Sequence, residues 1–328
     1  MSSGPETVIR EIPAPSRLTV GPEHCGLRAE AFLALALPGL SRTRIRQKIQ
    51  GGESLLNGRR YATSARMKTG DVLTVFWRSA PTVEAAPRFA VLFEDDVIVA
   101  LDKPAGVASH PAGRFRSGTV IQFVREQLAA DVRASLSREG DFFPSLVNRL
   151  DVFTSGVILA AKTRGVLRAM HDLAARGEIG KRYIALVEGR VERTEGRIDL
   201  PLGPDPASAT SIRMAVMQKG LAAVTDYLVL RRMPAHTLLA VFPRSGRQHQ
   251  VRAHLAAIGH PVWGDLLYKD ESLFLRYQSA GGADPSLPPR HCLHAEETVF
   301  QHPCTGARVL IHSELPADFR AIMRGLPS

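Results

Sequence analysis

The chain is short of cysteine, of aromatic residues and of unbroken apolar stretches, and each shortage removes a class of protein. Its three cysteines, Cys25, Cys292 and Cys304, are an odd count spread along the length, which implies no disulfide framework. No stretch reaches the ~18 consecutive apolar residues of a membrane span. Residues 1–15 carry Pro, Ser and Glu but no apolar signal core. A cytoplasmic monomer with no membrane partner is therefore expected, with a disordered leader over residues 1–16. The chain also lacks a Walker loop, a Rossmann glycine pattern, a Gly-x-Ser-x-Gly elbow and a His-Glu-x-x-His pair, so those chemistries have no signature here. Acidic residues are outnumbered as well: 32 Asp and Glu face 42 Lys and Arg, a net charge of +10. A cation-rich surface attracts polyanions and releases their counterions, so nucleic acid is the leading partner.

What is present fills two domains at ordinary sizes, with 45% hydrophobic residues over 328 positions. Residues 1–80 hold 12 Lys and Arg against 6 Asp and Glu, a large share of the excess charge in a quarter of the chain. Within residues 17–78, Leu27 to Leu37 reads as a helix that stops at Pro38-Gly39. Ser41 then caps a second helix, Arg42 to Gln50, ending at Gly51-Gly52. Ile45 and Ile49 are four apart and face inward. Arg42, Arg46 and Lys48 lie largely on the opposite side, with Arg44 near the boundary. Leu55-Leu56 opens a short strand before the Asn57-Gly58 turn, and Gly70-Asp71 turns the chain into a strand from Val72 to Trp77. Residues 79–88, with two prolines and no periodicity, read as a linker.

The larger domain is expected over residues 89–328. Strands are predicted at Ala90–Phe93, Val97–Leu101, Gly156–Ala161, Tyr183–Val187 and Leu238–Phe242. Helices are predicted at Arg164–Arg176 and Gln248–Ile258. Elements that mix without strict alternation indicate an α+β fold. Gly177-Glu178-Ile179-Gly180 has the outline of a nucleic-acid clamp, but a helix C-cap and turn explains it better. His291, Cys292, His294, His302 and Cys304 crowd the tail, yet their hooks are adjacent or one residue apart, which suits core packing better than zinc. No metal is expected. Leu273 to Pro289, rich in Gly, Pro and Ser, reads as a surface loop.

The strongest signal is Asn148-Arg149-Leu150-Asp151-Val152-Phe153-Thr154-Ser155-Gly156, followed by the apolar run Val157 to Ala161. A carboxylate at the edge of a core strand, beside hydroxyls and a glycine, is a poised group and not a solubilising one. A cation must sit near it if it is partly buried and ionised. Arg252, one position from the apolar Val251, is the candidate, and an unpaired buried carboxylate would be costly.

These residues resemble the RluA-type RNA pseudouridine synthases, whose central motif is His-Arg-Leu-Asp-x-x-Thr-Ser-Gly. Asn148 here replaces the His. Other segments agree in order: Asp102-Lys103-Pro104-Ala105-Gly106, Ser109-His110-Pro111, Lys181-Arg182-Tyr183, Ser245 to Leu255, Gly259 to Asp265 and Leu293-His294-Ala295. Residues 17–78 resemble the small RNA-binding module of the ribosomal-protein S-four type, except that Glu53-Ser54 stands where an apolar residue is usual.

The resemblance implies an α+β catalytic domain with a mixed, mainly antiparallel sheet and flanking helices, preceded by a small α/β RNA-binding domain. It implies uridine isomerisation in RNA without a cofactor. Asp151 would start glycosidic cleavage, whether by attacking the ribose, attacking the base or removing a ribose proton. Tyr183 would stack on the target base and take the proton from carbon 5. Arg149 would fill the vacated stack or hold a phosphate, since a flipped base costs a few kcal/mol to extrude. Arg247 and His249 would meet phosphates at a helix N-terminus, and Arg42, Arg44, Arg46 and Lys48 would add sequence-tolerant affinity. Large-subunit ribosomal RNA is the favoured substrate. Transfer RNA modification, a non-catalytic RNA-binding factor and a carboxylate-based nucleoside hydrolase are the alternatives, the last needing a second carboxylate such as Glu178, Asp265 or Glu188.

Overall fold

Seven consecutive residues, Ser155–Ala161, are all buried, as in a strand covered on both faces. Ile158 and Leu159 point to opposite sides, and neither is more than 1% exposed. This strand lies inside the main sheet of the protein. The computed structural model describes residues 15–37, 42–76, 89–111, 115, 117–128, 144–279 and 284–326. The described residues within 1–86 and 110–143 form one unit, and those within 87–109 and 144–328 form another. Residues 1–14 of the expected leader, the helix stop at Pro38-Gly39, the Ser41 cap and the 79–88 linker lie outside the described residues.

In the first unit, β1 (Ser16–Thr19), β2 (Ser54–Leu56) and β3 (Val72–Val75) make an antiparallel sheet in the order β1-β3-β2. Two helices, α1 (Ala29–Ala36) and α2 (Arg42–Gln50), share its core through Phe32, Leu33, Ile45, Ile49, Met67 and Leu73. Asn57 and Gly58 both have positive φ (48° and 79°), the geometry of a tight primed turn that Asn-Gly tolerates best. Ser54, the polar departure, is buried with its hydroxyl 2.7 Å from that of Tyr61, so a hydrogen bond stands where apolar packing would otherwise be. The helix α3 (Val120–Gln127), with a Thr119–Gln122 capping box, is grouped with this unit.

The second unit is built on a mixed sheet of β4 (Ala90–Glu94), β5 (Ile98–Lys103), β6 (Ser145–Leu146), β7 (Ser155–Ala161), β8 (Gly180–Glu188), β9 (Glu195–Asp199), β12 (Val224–Arg232), β13 (His236–Pro243), β14 (Leu293–Gln301) and β15 (Arg308–His312). Its path is β4-β5-β7-β14-β8-β13-β12-β9, with β15 on β14 and β6 on β7. Every pairing is antiparallel except β14 on β7. A separate hairpin, β10 (Leu202–Pro204) with β11 (Met214–Val216), follows β9. Flanking helices are α4 (Arg164–Ala175), α5 (Gln250–Ala257), α6 (Leu266–Lys269), α7 (Glu271–Ser279) and α8 (Ala317–Gly325).

Two local expectations change. Residues 273–279 are helical, because Phe274 packs with Leu267 and Tyr268 and so gives the segment an inner face. The helix expected from Gln248 starts at Gln250, because His249 takes a left-handed conformation, φ 53° and ψ 18°. Gly177 ends α4 with φ 73°, and the Glu178 amide donates to the Leu173 carbonyl, a helix C-cap as the spacing suggested.

Candidate active site

The segment 148–154 is tied down at nearly every residue. Asn148 Oδ1 accepts the Leu159 amide at 2.7 Å, so the residue that departs from the family pattern pins the loop to β7. The Ser109 hydroxyl donates to the Leu150 carbonyl (2.7 Å) and lies 3.1 Å from the Leu150 amide nitrogen. The ammonium of Lys103, wholly buried, donates to the carbonyls of Pro104, Val107 and Val152 at 2.8–3.0 Å. Burial pushes it down to about 7, helped by Arg290 and opposed by Asp151 and Asp102. The Thr154 amide donates to the Asp151 carbonyl, closing a turn, and the Thr154 hydroxyl meets His291 Nε2 at 2.8 Å. Gly156 has φ +110°, and a Cβ there would lie 2.1 Å from the Ala295 carbonyl oxygen, so only glycine lets β14 pass.

This scaffold presents Asp151 with its side chain 27% exposed. Arg252, on α5, reaches it with Nη1 2.9 Å from Oδ2. The same guanidinium holds Asp265 in a fork, Nε to Oδ2 at 2.6 Å and Nη2 to Oδ1 at 2.8 Å. Two carboxylates thus share one cation. Burial opposes the charge on Asp151, but its neighbours, of which Arg252 is the one charged at neutral pH, outweigh it and hold the carboxyl well below its usual range. Burial pushes His249 down to about 4 and His291 to about 3, each assisted by the Arg252 charge. Both imidazoles are therefore neutral near pH 7, and Arg252 is the standing cation that keeps Asp151 ionised.

Tyr183 lies in β8 between Ala295 of β14 and Val241 of β13. Burial and the negative charge of Asp151 both raise its phenol, so it stays protonated at neutral pH. His249 comes from the left-handed residue before α5, and its Nε2 is 3.8 Å from Asp151 Oδ1. Phe153 stands edge-on to both His291 and Tyr277, ring centroids 6.3 Å apart in each case.

The structure therefore brings Asp151, Arg252, Tyr183 and His249 into one electrostatic neighbourhood. His249, expected to meet phosphate at the helix N-terminus, has its Nε2 facing the Asp151 carboxylate. Arg149 is exposed on the same loop, and its charge reaches His249. Arg247 is exposed, its Nε 3.2 Å from the Ala222 carbonyl. In the first unit, Arg46 forms a bidentate pair with the buried Glu30, and Lys48 is 2.5 Å from Glu53. Half of the expected basic stripe is thus answered by acids. Arg44 is exposed, and the Arg42 side chain lies outside the described residues.

The roles of Asp265, Lys103, Tyr268 and His291 are not legible in the sequence. The signal for Lys103 was a lysine closing an otherwise apolar strand. Asp265, a candidate second carboxylate for hydrolysis, is 2% exposed with both oxygens bound by Arg252, so neither is open to act as acid or base. The clustered histidines of the tail have separate partners. His294 bridges Ser155 and the Ser313 carbonyl, and His302 faces Asp95. Among the described residues no group of three or more His, Cys, Asp or Glu is placed to hold a metal, and no helix is long and apolar enough to cross a membrane.

The family model described as RNA pseudouridylate synthase matches residues 97–257. A ribosomal large subunit pseudouridine synthase D from Nitrosomonas europaea is 34% identical, over 94% of this chain and 87% of the relative. One of the same name from Xanthomonas campestris is 31% identical, over 92% and 89%. The solved structure of human RNA pseudouridylate synthase domain containing 4 shares the fold with a TM-score of 0.54 at 22% identity, covering 73% of this chain and 95% of that one. The aspartate-centred loop, the mixed sheet that carries it and this similarity along almost the whole length place the chain in the RluA-type family of RNA pseudouridine synthases, enzymes that isomerise uridine within RNA.

Proposed function

We propose that this enzyme forms pseudouridine in large-subunit ribosomal RNA, with Asp151 as the catalytic carboxylate. The observation that carries the assignment is the asymmetry of Asp151. Its Oδ2 is bound by Arg252, while among the described residues Oδ1 has no partner closer than His249 Nε2 at 3.8 Å, and the side chain remains partly exposed. An ionised carboxylate with one oxygen anchored and one available suits a group that must meet a ribose or a base.

The isomerisation breaks the bond between N1 and C1′, turns the uracil, and joins C5 to C1′. The C5 proton is lost and N1 gains one, so no cofactor is consumed. Because Tyr183 stays a neutral phenol, its role is to stack on the uracil, and the ionised Asp151 is the better acceptor for a proton. Arg149, exposed beside the loop, would occupy the gap left by the extruded base. Arg247 would meet the RNA backbone. The first unit would add affinity through Arg42, Arg44, Arg46 and Lys48, of which Arg46 and Lys48 also pair with Glu30 and Glu53.

Ribosomal RNA is favoured over transfer RNA because the Nitrosomonas and Xanthomonas relatives carry large-subunit names. Pseudouridine mapping of total RNA from cells with and without this protein tests the reading. One or more sites in large-subunit RNA should disappear with the protein and return with the wild-type gene but not with Asp151→Asn, while the Asp151→Asn protein still binds RNA. Sites lost only from transfer RNA would overturn the substrate, and turnover by Asp151→Asn would overturn the residue.

A further inference from the structure

His249 is one of two non-glycine residues with positive φ among the described residues, the other being the turn residue Asn57. A left-handed backbone at such a residue costs about 1–2 kcal/mol and persists where its surroundings over-determine it. The His249 carbonyl accepts the Ala253 amide at 2.8 Å, and its ring meets Tyr268. The Tyr268 hydroxyl oxygen is 3.2 Å from His249 Nδ1 and accepts the Met214 amide at 3.0 Å. The Tyr268 ring is 8% exposed and lies beneath the Arg252 guanidinium, 5.1 Å from its centroid.

Counting donors fixes the hydrogens. The Met214 amide can only donate, so it occupies one lone pair of the phenol oxygen. The phenol keeps its own proton, and among the described residues His249 Nδ1 is the remaining neighbour placed to accept it. If Nδ1 carried hydrogen instead, the buried O–H would have no acceptor, at a cost of about 1–3 kcal/mol. His249 is therefore an Nε2–H tautomer, and that hydrogen belongs to the atom facing Asp151 Oδ1.

The spacing is systematic. Arg252 and His249 are three residues apart at the start of α5, and Asp265 and Tyr268 are three apart at the start of α6. Asp265 orients Arg252 towards Oδ2, and Tyr268 orients His249 towards Oδ1. Resting on Asp151 being the reacting group, we propose that Tyr268 and His249 are positioning residues for it. Together they hold a neutral N–H donor 3.8 Å from the reacting oxygen, too far to bind the resting carboxylate but close enough to restrain its rotation and to engage when Oδ1 moves.

Two measurements test this. Nitrogen NMR of histidine-labelled full-length protein, with His249 assigned from the signal lost in His249→Gln, should show the Nε2–H tautomer. The Nδ1–H tautomer would overturn the proposal whether or not the protein is active. Turnover is then measured on large-subunit ribosomal RNA from a strain lacking the protein. Tyr268→Phe, which keeps the ring under Arg252, should lower kcat about tenfold, as expected for one lost hydrogen bond. His249→Phe should lower it about 10²-fold, and His249→Gln, which can place an amide N–H near the Nε2 position, should recover most of that loss. KM should stay unchanged throughout. A raised KM with intact kcat in His249→Phe would make His249 a phosphate contact and overturn the proposal, as would wild-type kcat in both Tyr268→Phe and His249→Phe. Wild-type protein inactive on every RNA would overturn the proposed function, and the tautomer would still decide the Tyr268–His249 pairing.

Discussion

Arg252→Met tests the electrostatic core of the site most severely, because one guanidinium serves two carboxylates. The substitution keeps much of the side-chain volume and removes three charged contacts: two to Asp265 and one to Asp151. Asp265 is 2% exposed and would become a buried carboxylate with no cation. Breaking such a pair by deleting one partner costs about 3–5 kcal/mol. The pH dependence has a definite sign. In the wild type Asp151 and Asp265 are both lowered, so their stabilisation is present above the unfolded value of roughly 4 and lost as pH falls through the lower folded values. In the variant, burial without Arg252 raises both. The folded protein then binds more protons than the unfolded chain, and stability should increase on acidification from pH 7.5 towards 5. Urea denaturation at those two pH values measures this. Pseudouridine formation should fall by about 10²–10³-fold, the usual loss for one charge-stabilising group, with RNA affinity measured separately and little changed. Stability within ~0.5 kcal/mol of wild type, with no inverted pH slope, would refute the shared-cation account.

Three further outcomes follow from the scaffold. Lys103 is lowered to about 7, so the unfolded chain binds more protons above that value, and its contribution to stability rises from about pH 7 to 10. The stability difference between wild type and Lys103→Met, read from urea midpoints, should move in favour of wild type as pH rises across that window. Asn148→Ala strands the Leu159 amide and should cost about 1–3 kcal/mol in thermal or urea unfolding, whereas Asn148→His, which can accept through a ring nitrogen, should recover most of it. Gly156→Ala forces a Cβ against the Ala295 carbonyl at a backbone conformation already hostile to L-residues. It should lower stability by on the order of 3 kcal/mol or more, and soluble expression beside wild type is the check.

Local pattern carried a good part of the architecture. The Asn57-Gly58 turn, the basic helix Arg42–Gln50 and the apolar run before Ala161 follow from propensity and periodicity, and each stands within a residue or two of its expected place. Strands such as β12 and β14 were not legible. β12 ends in two arginines, and β14 carries Glu296-Glu297, whose charges are answered by Arg182 from the neighbouring strand at 2.5 and 3.6 Å. A charged strand becomes stable only when its partner strand supplies the counter-charge, and that partner lies more than a hundred residues away.

The candidate site divides along the same line. Asp151, Tyr183 and Arg252 stood out from the sequence because a carboxylate beside a core strand demands a cation and because their segments resemble a family. What tunes them was not legible. Asp265 and Tyr268 are an ordinary acid and aromatic at a loop–helix junction, and Lys103 is one cation among 42 basic residues. Sequence alone determined which groups can ionise, donate and accept. Only the tertiary structure decided which of them would be charged, because charge inside a protein depends on burial and on neighbours brought close from distant parts of the chain. Arg252 reaches across 101 positions to Asp151, and Lys103 reaches across 49 to the carbonyl of Val152 beside it.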